Sequence, residues 1–169
     1  MSVLIGTQSA VIFCVICIRF VKTATVGTTS TKATVPEQTE NANPNTVNSH
    51  ILFGNIYYKS ENLEQAIQSF KEAIRTNPND FDAHFGLGGC YSEPGNEKEA
   101  MKATKEAVRI RPDYPFAHTA LGINYHNLGR YNEAIETYKH AMELDPHLAD
   151  TAQMLISNAY AASGRPNSF

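Results

Sequence analysis

The sequence predicts an all-α fold, an α-solenoid of antiparallel helix-turn-helix repeats. Three observations predict it. Five kinds of residue recur every 34 positions without insertion or deletion: Gly54, Gly88, Gly122; Tyr57, Tyr91, Tyr125; Ala66, Ala100, Ala134; Ala73, Ala107, Ala141; Pro78, Pro112, Pro146. Within each unit, apolar and small residues fall at helical spacing in two stretches. A proline then closes the unit. A period this strict marks a stacked array in which each unit buries its apolar face only against its neighbours.

The units are 47–80, 81–114 and 115–148. In the first, the small residues Gly54, Ala66 and Ala73 allow close approach of helix backbones, and Tyr57 and Phe70 fill the space between them. The third shows the hairpin most plainly. Ala117, Leu121, Tyr125 and Leu128 define one helix face, Gly129 is a stop, and Ala134, Ile135, Tyr138, Ala141 and Met142 define a second face. The dipeptides Asn77-Pro78, Arg111-Pro112 and Asp145-Pro146 end each second helix, because the ring disfavours helix at the residue before it. The second unit carries extra glycines, Gly86 and Gly89, around Gly88, and Thr104 where its neighbours have Phe70 and Tyr138. Each glycine costs about 1 kcal/mol against alanine in a helix, so this unit is expected to be the softest. After Pro146 the pattern slips by one residue, so that Ser157, Tyr160 and Gly164 match only from Asp150; residues 149–169 are read as a capping helix and tail.

Residues 1–22 follow a different regime. The run AVIFCVICI at 10–18, with Val3, Leu4 and Ile5 before it, is apolar over about 18 residues, close to the thickness of a bilayer core. Arg19 and Lys22 follow it. An uncleaved anchor, a secretory signal peptide and neither of these all stay open. The basic residues lie after the apolar core, which favours the anchor and, by the positive-inside rule, holds the repeats in the cytoplasm. The alternative is export after signal cleavage. Residues 23–46 are rich in threonine and nearly free of bulky apolar groups, so they form a linker of about 25 to 30 Å end to end.

Together FGNIY with AIQSFKEAIRTNP, LGGCY with AMKATKEAVRIRP, and LGINYHNLGRYNEAIETYKHAMELDP resemble the tetratricopeptide repeat, a 34-residue helix-turn-helix unit. The departures are His50, His84 and His118 at the family's tryptophan position, and Thr104 in place of an aromatic. The resemblance implies a right-handed superhelical stack whose concave face, lined by the first helix of each hairpin, binds a peptide. The residues it implicates are Asn48, Ile51, Asn55 and Tyr58; Asp82, Phe85, Gly89 and Ser92; Phe116, Thr119, Ile123 and His126; and Thr151, Met154 and Asn158. Members that clamp a carboxylate terminus use Lys and Asn at the fifth and ninth places of one repeat, Asn at the sixth of the next, and Lys and Arg at the second and sixth of the third. Here Ile51, Gly86, Phe116 and Ala120 stand there and only Asn55 matches, so no cation pairs that carboxylate.

No catalytic constellation appears: there is no G-x-S-x-G, no H-E-x-x-H and no phosphate loop, and Gly86-Leu87-Gly88-Gly89 lies within a repeat helix. Neither catalysis nor a cofactor nor a small-molecule substrate is expected. Cys14 and Cys17 sit in the apolar run without a second pair. The repeated histidines lie on different helices, about 8 to 10 Å apart at closest axis approach, too far to share a metal, so they are read as space-filling. A net charge of -3 with 18% charged residues argues against a nucleic-acid partner. The expected function is a non-catalytic adaptor that binds a protein or peptide and is held at a membrane by its N-terminal segment. The alternative is a structural or assembly subunit of a larger, exported complex that uses its convex face or edges.

Overall fold

The computed structural model describes residues 46–92 and 95–164, and every regular element among them is helical. Three hairpins are formed by α1 (Val47–Lys59) with α2 (Leu63–Thr76), α3 (Phe81–Cys90) with α4 (Glu97–Ile110), and α5 (Pro115–Asn127) with α6 (Tyr131–Leu144). A 3₁₀ turn, Pro146–Leu148, leads into α7 (Ala149–Ser163). Each helix packs on the next, and α1 also touches α3, so the expected all-α solenoid is the fold this chain adopts. No described helix is long and apolar enough to cross a membrane. The apolar segment 1–22 and all of the linker but Thr46 lie outside the described residues.

Local chemistry sets the helix ends. Thr46 accepts a hydrogen bond from the Ser49 amide, Asn62 from Gln65 and Asp80 from Ala83, each satisfying an amide that its helix leaves open. Pro115 opens α5, where its missing N–H costs nothing. The turn inside each hairpin needs a left-handed residue at one repeated position, taken by Glu61 (φ 60°), Gly95 (φ 99°) and Gly129 (φ 72°). Only Glu61 pays for it with a side chain.

The two helices of each hairpin are buried differently. In α5 every residue from Ala117 to Asn124 is buried, because neighbours surround it, whereas α2, α4 and α6 bury a single stripe and expose the rest. Aromatic side chains of the second helices plug into glycines of the first. A Cβ at Gly54 or Gly86 would run into the Phe70 ring, and one at Gly122 would collide with Tyr138. Gly86 is therefore a socket for the preceding hairpin and not merely a weak helix residue, which corrects the view that its absent side chain only softens the second unit.

Between the second and third hairpins the plug is different. Thr104, fully buried, accepts a hydrogen bond from Asn124 Nδ2 at 3.0 Å, and a Cβ at Gly88 would strike its hydroxyl. The one-residue slip after Pro146 is taken up in the 3₁₀ turn, so that Ala152, Leu155, Ile156 and Ala159 meet Ile123, Ala134, Ile135 and Tyr138 in one cluster. Since α3 has 10 residues against 13 in α5, and Thr104 fills less volume than Tyr138, amides in 81–114 are expected to exchange faster than those in 115–148. Hydrogen-exchange mass spectrometry showing the reverse order would refute this.

Candidate functional site

The first helices, α1, α3 and α5, together with α7, carry the residues implicated in the groove. Asn48, Asn55, Asp82, Met154 and Asn158 are exposed, and Ile51, Tyr58, Phe85, Phe116, His126, Ser92 and Thr151 are half-buried. Gly89, Thr119 and Ile123 are buried. Thr119 and Ile123 are each 4% exposed, which corrects their expected role as contact residues. The Thr119 hydroxyl donates to the Pro115 carbonyl at 3.1 Å, and Ile123 lies in the cluster with Tyr138 and Leu155. Packing of α7 against this end of the array removes the surface that helical position alone would have assigned to Ile123.

What gathers instead is an aromatic row at the junction of the second and third hairpins. Phe81 stacks on Phe85 with centroids 5.5 Å apart, Tyr114 meets Phe85 edge-on at 5.9 Å, and Phe116 lies 5.6 Å from Tyr114. The Arg111 guanidinium sits 4.0 Å from the Phe81 centroid and 5.7 Å from that of Tyr114. Burial pushes the Asp82 carboxyl above its ordinary range; the neighbouring Asp80 adds to this and Arg111 opposes it. Phe81, Tyr114 and Arg111 were not expected here. Tyr114 is the last residue of its unit, and its aromatic character just ahead of Phe116 was the available signal. Leu52, 44% exposed on α1, adds apolar surface near Ile51.

Two of the three repeated histidines act as latches between units. His84 Nε2 donates to the Pro78 carbonyl at 2.9 Å and His118 Nε2 to that of Pro112 at 2.7 Å, each tying a first helix to the proline that ended the preceding unit. His118 also meets the His140 ring edge-on at 4.6 Å, and His140 pairs with Glu143 at 3.2 Å. Burial lowers the pKa of His118 and of His126. A histidine whose folded pKa is depressed contributes stability that is complete above the unfolded value of about 6.5 and is lost as pH falls through the folded one. The melting temperature is thus expected to drop between pH 7 and pH 5. Exchanging both histidines for glutamine is expected to flatten that dependence; an unchanged slope would refute it.

Comparison with known proteins agrees with this architecture. The profile of the TPR repeat matches residues 54–95, and profiles of the tetratricopeptide repeat match 81–114 and 115–148. No curated protein matches the sequence. Two crystal structures of MamA match with TM-scores of 0.69 and 0.68 at 25% and 26% identity, covering 76% and 73% of this chain and 74% and 67% of theirs. The first TPR of Spaghetti (RPAP3), bound to the HSP90 peptide SRMEEVD, matches with a TM-score of 0.66 at 19% identity over 70% of this chain and 94% of its own. The TPR2B domain of yeast Sti1, in complex with pHsp70, gives 0.64 at 18% over 68% and 96%. The last two share the fold alone.

Proposed function

Because the chain belongs to the tetratricopeptide repeat family of interaction scaffolds, we propose that it is an adaptor binding a peptide segment along the inner face of its first helices, held at a membrane through residues 1–22. The aromatic row of Phe85, Tyr114 and Phe116 carries this reading, and α1 and α7 add the exposed amides Asn48, Asn55 and Asn158. Aromatic surface of this kind takes apolar side chains, and amides hydrogen-bond a peptide backbone. That the Spaghetti repeat holds a peptide supports the choice of ligand class. The ligand differs in one respect. Ile51, Gly86, Phe116 and Ala120 offer no cation, so an internal segment suits this groove better than a free carboxylate terminus.

Crosslinking capture of partners by wild type and by Phe85→Ala with Phe116→Ala tests the reading. The double variant is expected to lose capture by about tenfold or more, since buried aromatic anchors dominate such contacts. A thermal melt checks that the array still folds. Asn55→Ala with Asn158→Ala leaves the aromatic row intact and is expected to weaken capture less. Capture unchanged in both variants would overturn groove binding and leave assembly through the convex face or edges. Protease protection of the repeats in intact membranes tests the tether and its side.

A further inference from the structure

Net charge conceals an asymmetry that the fold creates. In α4, Lys98, Lys102, Lys105 and Arg109 recur at steps of four, three and four, which places them on one stripe about 60° wide. All four are exposed, directly opposite the buried Ala100, Ala103, Thr104 and Ala107. The same solvent-facing positions hold Glu64, Gln68, Lys71 and Arg75 in α2, and Asn132, Glu136, Lys139 and Glu143 in α6. These four positions carry +1 in α2, +4 in α4 and -1 in α6; with the acids that flank them, Glu97, Glu99 and Glu106 in α4 among them, the whole helices carry 0, +1 and -2. Identical backbone positions accept acid, amide or base, so the repeat itself does not require these cations.

Among the described residues, only one of the four cations of this stripe is in an ion pair. Arg75 pairs with Glu72 at 2.7 Å, Arg109 with Glu106 at 2.7 Å and Lys139 with Glu136 at 3.4 Å. Among the described residues Lys98, Lys102 and Lys105 form no ion pair. Lys105 lies close enough to help hold the Glu106 carboxyl below its usual range, after the larger effect of the Arg109 hydrogen bond.

We propose that this outer face docks on an anionic lipid bilayer. In a tetratricopeptide array, where the first helices line the concave side, the second helices lie on the convex side, and a plane touches a convex surface at its middle, where the cations are concentrated. Three of the four are lysines, point charges without the planar fork that grips an individual phosphate, as suits a diffuse surface potential. The apolar run 10–18 with Arg19 and Lys22 lies one linker away, and two weak membrane signals on one chain reinforce each other. The inner face stays turned away from the bilayer. The local concentration in this account rests on the tether reading; the chemistry of the patch does not.

The test uses the full chain with vesicles of phosphatidylcholine alone or mixed with phosphatidylserine, comparing wild type with Lys98→Ala, Lys102→Ala and Lys105→Ala combined. Wild type is expected to favour the mixed vesicles, and the triple variant to lose about 100-fold in partition onto them at low salt, a difference that high salt removes. Hydrogen exchange is expected to show protection over 97–110 on mixed vesicles only. Equal partition of wild type and variant onto mixed vesicles would overturn the proposal, as would capture of single-stranded RNA with no preference for them. A chain that ignores neutral vesicles yet binds mixed ones would remove the tether and keep the patch.

Discussion

Tyr138→Ala is expected to cost about 3 to 5 kcal/mol and to lower the melting temperature by more than about 10 °C. Tyr138 is 1% exposed and its ring occupies the space that a Cβ at Gly122 would need, in the cluster that joins α5, α6 and α7. Truncation leaves a cavity that three helices border, and none can close it alone. Tyr138→Phe is expected to go the other way. Among the described residues the hydroxyl has no hydrogen-bond partner, and its burial raises the pKa well above the ordinary tyrosine value. Deleting an unpaired buried hydroxyl removes a desolvation penalty, so the variant is expected to gain about 1 kcal/mol. A loss of similar size in thermal or urea melts would show that an ordered water pairs the group.

The second large effect is counterintuitive from the family pattern. Position 104 falls where the repeat expects an aromatic, yet Thr104→Phe is expected to destabilise by about 2 to 5 kcal/mol. Phe70 fits because Gly86 of the next hairpin lacks a Cβ, and the equivalent of Gly86 after Thr104 is Ala120, which is buried. The phenyl ring would overpack against that methyl, and Asn124 Nδ2 would lose the hydroxyl it donates to at 3.0 Å. The triple change Thr104→Phe, Ala120→Gly and Asn124→Cys recreates the Phe70, Gly86 and Cys90 arrangement and is expected to recover most of the loss. Urea melts of the single and triple variants decide it. A single variant as stable as wild type would show that the two interfaces do not depend on these sockets.

Recognition of the site was uneven for a physical reason. Phe85 and Phe116 were legible because their places in the repeat put them on first helices, whatever their neighbours. Thr119 occupies the same place as Phe85 and Ile123 follows one turn later, yet one turns its hydroxyl to Pro115 and the other meets α7. Periodicity reports direction around a helix axis and says nothing of what stands across from it. Tyr114, Phe81 and Arg111 went unremarked because they join the aromatic row from positions outside the first-helix pattern.

The sequence by itself determined the hairpin unit, its period and the all-helical class, since these follow from local spacing, caps and prolines that act within a few residues. Tertiary structure alone decided two matters: that Gly86 is a socket, and that Thr104 pairs with a partner 20 residues away. Each depends on which side chains of other helices occupy the facing space, and a pattern along one chain does not carry that information.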